Sequence, residues 1–331
     1  MTRSRFAVRG LVTGTCAMLL VNACTDSGVT APKSEETQSA SRVQEFNNTR
    51  HLFHTKQFYA KSNGARPSSG SGIVFHGGRV IAGANITKVV AIYWGANTIY
   101  TGQASGTGSG SSDPTLIGSF LRSLGGSPYF NINTTYYDAA NASVKNQVTY
   151  TSFWTTGSTA AGPSSSPTDA DMVNLIQTGF NKGYIAYDPN TVYAIFTGSG
   201  VNLGGGFGSQ YCAYHTNGST TKGAVLYAAM PHNQDYPSGC TSALKSPNSD
   251  VAANSEVNTL AHEIEETTTD PLGTAWYDRR GYENADKCAW TWGTTKTASN
   301  GGVYNMQLGS NFYLVQRNWV NAGSGGCAVS Y

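Results

Sequence analysis

Charge is scarce in this sequence. Charged residues make up 12% of its 331 positions, and 21 Lys and Arg nearly balance 19 Asp and Glu for a formal net charge of +2. Such a chain has no broad basic field, so nucleic acid and anionic membrane surfaces are not expected as charge-driven partners. The apolar run LVTGTCAMLLV over residues 11–21 falls short of the roughly 20 residues that a crossing helix needs. No C-x-x-C pair is present, which argues against a four-thiolate zinc site. Between residues 72 and 331 there is no Pro-rich hinge and no internal repeat, which argues against several domains.

What is present begins with an export address. Arg3, Arg5 and Arg9 precede the short apolar run, and small residues follow it, the pattern of a signal peptide over 1–23. The cleavage region LVNAC resembles a bacterial lipobox, which makes Cys24 the lipidated N-terminus and a lipid anchor the only membrane attachment expected. An ordinary signal peptide cut near Ala23 is the alternative. Residues 24–71 are Ser-, Thr-, Asn- and Lys-rich and read as a polar linker, ahead of a globular domain over 72–331. Export places the remaining cysteines in an oxidising compartment, as an outer-surface lipoprotein or an extracellular or periplasmic protein. Cys212, Cys240, Cys288 and Cys327 allow three pairings, and chain proximity favours Cys212 with Cys240 and Cys288 with Cys327.

The domain alternates strand-like and helix-like runs. VVAIYWG (89–95), VYAIFTG (192–198) and GAVLYAAM (223–230) are short, apolar and rich in β-branched and aromatic residues, as buried strands are. Helices are expected over 113–125, with Asp113 as N-cap, and over 168–183, with an acidic start and a Lys-Gly end. The expected fold is therefore α/β, one domain with a central mixed sheet flanked by helices. GSGVNLGGGFG (198–208) lacks the spacing and the following helix of a nucleotide-binding loop and reads as a flexible loop or cleft rim.

Against this low-charge background, TLAHEIEETTTDP (259–271) concentrates four acids and a histidine. Val257, Leu260, Ala261 and Ile264 form an apolar stripe, so a helix is expected from a cap at Asn254 or Ser255 to about Thr267. His262 and Glu266 then lie one turn apart on one face, with Glu263 beside it. This is the layout of the zinc-peptidase helix H-E-x-x-H, zincin-like, except that Glu266 stands where the second histidine would be. In that reading His262 and Glu266 hold a zinc ion, Glu263 is the general base and Glu283 is the third ligand, with Asp286, Asp270 and His232 as alternatives. His215 and His232 are candidates for an extra ligand or a transition-state donor. Carboxylate ligands keep calcium open as the ion. The function reads as a metal-dependent hydrolase acting on a peptide or cell-wall substrate. The other reading is a non-catalytic surface or cell-wall binding protein with a structural or vestigial metal site.

The order of motifs carries a resemblance. FHGGRVIAG, VVAIYWG, FLRSLG, GSQYCAYH, MPHNQ, TLAHEIEETTTDPLGTAWYD, ENADKC and NFYLVQRNWVNAGSGGC, spread over roughly 72–331, resemble the Exordium or phosphate-induced protein family. The resemblance implies a secreted protein of that family's fold, related to plant cell-wall proteins associated with growth, and it does not imply a peptidase. The family pattern has Asn-Pro after its H-E-x-x-E, where this chain has Asp270 and Pro271. The lipobox is foreign to plant members and points to a bacterial relative.

If Cys24 is lipidated, the wild type should enter the detergent phase on Triton X-114 partitioning and Cys24→Ser should stay in the aqueous phase. Identical aqueous behaviour of the two would remove the anchor.

Overall fold

The apolar runs that cannot face water on either side become the interior of a seven-stranded sheet. The computed structural model describes residues 50–61 and 72–331, so the signal peptide, Cys24 and most of the 24–71 linker lie outside the described residues. In chain order the main elements are β1 (His51–His54), α1 (Lys56–Lys61), β2 (Val74–Phe75), β3 (Thr87–Trp94), β4 (Gly106–Ser109), α2 (Leu116–Leu124), β5 (Val148–Thr155), α3 (Asp169–Lys182), β6 (Thr191–Thr197), β7 (Tyr211–Thr220), β8 (Gly223–Met230), α4 (Val251–Thr269) and β9 (Trp276–Tyr277). The strand order is β1-β7-β8-β6-β3-β5-β4. Strands β5, β3, β6 and β8 run parallel, while β4, β7 and β1 each pair antiparallel with their neighbours. The fold is therefore α/β with a mixed sheet, and β2 pairs separately with β9.

Alternation along the strands decides which helix covers which face. Val89, Ala91, Tyr93, Ala194, Phe196, Ala213 and Ala228 pack with α2 and α4. Val90, Ile92, Trp94, Tyr193, Ile195, Tyr214 and Tyr227 pack with α3. His215 follows Ala213 by two residues in β7 and so points to the α4 face, where it meets Glu263.

The linker boundary differs from the expectation. Residues 51–61 fold into β1 and α1, and β1 pairs with β7 in the register His51 to His215, Leu52 to Tyr214 and Phe53 to Ala213. A polar composition hides this because the segment is held by few apolar side chains, Phe53 and Tyr59 chief among them, and by the backbone pairing of an edge strand.

The helix caps also differ in two places. Asp113 does not cap α2; it is buried and accepts from Tyr93 Oη (2.7 Å), Tyr150 Oη (2.6 Å) and Thr115 N (3.0 Å). Thr115 takes the N-cap, accepting from Gly118 N at 2.9 Å. The acidic helix starts earlier than expected because Asp250 accepts from Ala253 N at 2.9 Å. It also runs on through Thr267, Thr268 and Thr269, whose hydroxyls are satisfied by carbonyls one turn back (2.6, 2.7 and 3.2 Å). It ends at Asp270, ahead of Pro271. The second long helix follows expectation, with a capping box at Thr168 and Asp171 and Gly183 left-handed at φ 69°.

Both cysteine pairs form as chain proximity suggested, Cys212 with Cys240 and Cys288 with Cys327. The second pair ties the C-terminal hairpin of Asn318–Val320 and Gly326–Ala328 to the turn at Asp286–Cys288. Replacing Cys288 and Cys327 together by serine should lower the unfolding free energy by about 2–5 kcal/mol in urea titration. A loss under about 0.5 kcal/mol would show that the bridge constrains little.

Candidate metal centre

Helix α4 is buried on every side from Ala253 to Thr269, which is unusual for a segment holding Glu256, His262, Glu263, Glu265 and Glu266. The sheet covers one side, and the chain after Pro271 folds back over another. The turn at 278–288 brings in two more acids. Asp278 fixes it by accepting from Arg280 N (2.8 Å) and Tyr282 N (3.1 Å) and by pairing with Lys287 at 3.3 Å. The disulfide at Cys288 anchors the far end of the turn.

Seven side chains then converge in three overlapping groups of possible ligands. These are His262, Glu266 and Asp286; His215, Glu263 and Glu266; and His51, His215 and Glu283. In the first group His262 Nε2 lies 3.1 Å from Glu266 Oε2 and 3.7 Å from Asp286 Oδ1. In the second His215 Nδ1 lies 3.1 Å from Glu263 Oε2 and 3.8 Å from Glu266 Oε2. In the third His51 Nδ1 lies 2.8 Å from Glu283 Oε2, and His215 Nε2 lies 3.8 Å from Glu283 Oε1. Two ligand atoms about 2.0–2.3 Å from one ion are roughly 2.8–4.0 Å apart at ordinary coordination angles, so these separations are compatible with ligand atoms around a cation, and the shortest are also hydrogen-bond distances.

The expected trio is thus divided. His262 and Glu266 face each other as the one-turn spacing requires, but the acid placed with them is Asp286, and Glu283 faces His51 and His215 instead. Asp270 serves its own turn, accepting from Thr274 N (2.6 Å), Ala275 N (2.8 Å) and Trp276 N (3.2 Å). His232 pairs with Asp235 at 2.9 Å, on the rim of a surface cleft lined by Trp94, Ile99 and the start of the Gly-rich loop. His51 and Tyr59 were missed, and only the HLFH alternation in a polar segment hinted at them. Tyr59 Oη donates to Asp286 Oδ1 at 2.6 Å, and Phe53 lies over the His262 ring at 4.1 Å between centroids.

Electrostatically the cluster lacks positive charge. The ion pairs made by Glu263, Glu266, Glu283 and Asp286 among the described residues are all with histidines. Burial holds His262 and His51 down at about 4 and keeps His215 well below the usual imidazole range, so the histidines are neutral. Burial also drives Glu263, Glu266 and Glu283 far above the usual carboxylate range. Burial, and then the neighbouring Glu266, pushes Asp286 up to about 7. His215 Nε2, His262 Nε2, Glu263 Oε1 and Glu283 Oε1 are buried with no hydrogen-bond partner. Buried polar atoms without partners and neutral imidazoles at ligand spacing fit a divalent cation, which would stabilise the deprotonated carboxylates.

Gln316 sets the tautomer of His262. Its Nε2 donates to Ala285 O (2.9 Å), which leaves its other hydrogen directed at His262 Nδ1, 3.0 Å away. Nδ1 is then an acceptor and Nε2 carries the proton, so taking up an ion at Nε2 displaces that proton or turns the amide.

The conserved region of phosphate-induced protein 1 matches residues 73–316, which cover β2 through the site turn and Gln316. This chain belongs to the phosphate-induced protein family. It is also 35% identical over 89 residues to Protein EXORDIUM-like 3 of Arabidopsis thaliana, an alignment covering 23% of this chain and 26% of that protein. The chain thus spans about a quarter of the length of that curated relative. No solved structure matches it. The family region contains every cluster residue except His51. Among the described residues no helix is long and apolar enough to cross a membrane.

Because Asp270 ties three backbone amides, Asp270→Ala should cost about 2–4 kcal/mol of stability while leaving the metal content of the folded protein unchanged. Loss of metal from folded Asp270→Ala would make it a ligand after all.

Proposed function

We propose that this phosphate-induced family member is an exported metal-dependent hydrolase, peptidase-like in its chemistry, with an ion held by His262, Glu266 and Asp286. The observation that carries this reading is the buried His262 Nε2, which has no hydrogen-bond partner and lies 3.1 and 3.7 Å from two carboxylates, with Glu263 next to it in sequence. The ligand set of one imidazole and two carboxylates suits zinc and leaves calcium as the alternative. When bound, the ion supplies a water of lowered pKa and a charge opposite a developing oxyanion.

Glu263 performs the proton transfer. Its Oε2 is held by His215 Nδ1 at 3.1 Å, while Oε1 has no partner, so Oε1 takes the proton and delivers it to the leaving group. Tyr59 Oη and the Asp286 backbone amide, which donates to Glu266 Oε1 at 2.9 Å, hold the two carboxylate ligands in place. Solvent reaches the cluster at His51 and Asp286, whose side chains are 29% and 11% exposed. The two disulfides support an oxidising, exported setting. A lipid anchor at Cys24 would hold the protein at the cell surface. The complete burial of His262 and Glu263 favours a second reading, a non-catalytic cell-wall or surface binding protein whose ion is structural.

One series of measurements separates the two. Wild-type protein should cleave members of a broad peptide library, and chelator should stop it. Glu263→Gln should keep metal content and melting temperature and lose about 10²–10⁴-fold in rate. His262→Ala should lose this ion and stability together. Intact metal binding with no chelator-sensitive cleavage by the wild type would leave the structural reading.

A further inference from the structure

The ion at His262, Glu266 and Asp286 leaves half of the cluster unused. With Glu263 deprotonated, His215 Nδ1 donates to its Oε2 at 3.1 Å, and His215 Nε2 then turns a lone pair toward Glu283 Oε1, 3.8 Å away. Both atoms are buried and neither has a hydrogen-bond partner. Two acceptors facing each other inside a protein repel unless something positive lies between them. Glu263–His215 in this tautomer is also the arrangement in which a carboxylate orients a ligating imidazole toward a metal.

The third member comes from outside the family region. Strand β1 lies on the edge of the sheet with His51 opposite His215, their rings stacked at 4.8 Å, and His51 Nδ1 is 2.8 Å from Glu283 Oε2. The far side of the His51 ring abuts Gly273, where a Cβ would come within 2.1 Å of Nε2. Nδ1 is therefore the nitrogen presented to Glu283. The family region begins at residue 73, so β1 lies ahead of it.

We propose that His51, His215 and Glu283 form a second cation position beside the first, so that this protein holds two divalent ions and β1 completes the second position. Two imidazoles and one carboxylate select borderline ions such as zinc or cobalt over calcium. Entry is from the partly exposed His51 side. The proposal takes the first ion position as given and is independent of any hydrolytic activity.

The test is metal stoichiometry on the full chain, loaded with zinc and separately with cobalt, read by elemental analysis and by the cobalt electronic spectrum. Wild type should hold two equivalents, His51→Ala and Glu283→Gln one each, His262→Ala one, and the His51→Ala/His262→Ala double variant none. His51→Gln, which keeps the bulk of the ring, and circular dichroism guard against misfolding. A single equivalent in wild type that persists in His51→Ala overturns the second position, as do two equivalents that persist in both His51→Ala and Glu283→Gln. A single equivalent that survives in His262→Ala and is lost in His51→Ala would support the second position and overturn the first.

Discussion

The constraint on which the rest of this structure depends is the burial of carboxylates without a matching cation. Glu263, Glu266 and Glu283 are at most 2% exposed, and the histidines beside them are held neutral by the same burial. A buried carboxylate is tolerated when it is protonated, hydrogen-bonded or bound to a metal. Here the hydrogen bonds are partial: Glu263 and Glu283 each keep one oxygen unmatched. The arrangement requires protons or ions within it.

Much of the fold serves to hold this cluster closed. Helix α4 lies across the sheet face to which His215 of β7 points, so His215 and Glu263 meet from 48 positions apart. The turn at 278–288 delivers Glu283 and Asp286 from another side, fixed by Asp278, Lys287 and a disulfide. Strand β1 and helix α1 close the remaining side, where Phe53 covers His262 and Tyr59 bonds Asp286. Each support is long-range in sequence, so the site exists only in the folded state.

Membership of the phosphate-induced family accounts for the scaffold and for six of the seven cluster residues, since residues 73–316 contain all but His51. The family resemblance carries no assigned chemistry. The edge strand and His51 lie ahead of the matched region.

The α/β class, the central strands, the two disulfide pairs and the facing of His262 and Glu266 were legible in the sequence, because each follows from local periodicity, spacing or compartment chemistry. A helix one turn long already places residues 262 and 266 on one face. The caps at Asp250 and Thr115 were misplaced by a few residues because competing polar residues stood nearby and only packing chose among them. The division of Glu283 and Asp286 between different partners, and the arrival of His51, depend on the tertiary structure. His51 and Glu283 are 232 positions apart, and nothing in either local pattern refers to the other. Their meeting is set by the register of an edge strand and by a disulfide-anchored turn, distant contacts whose geometry is decided only when the whole core packs.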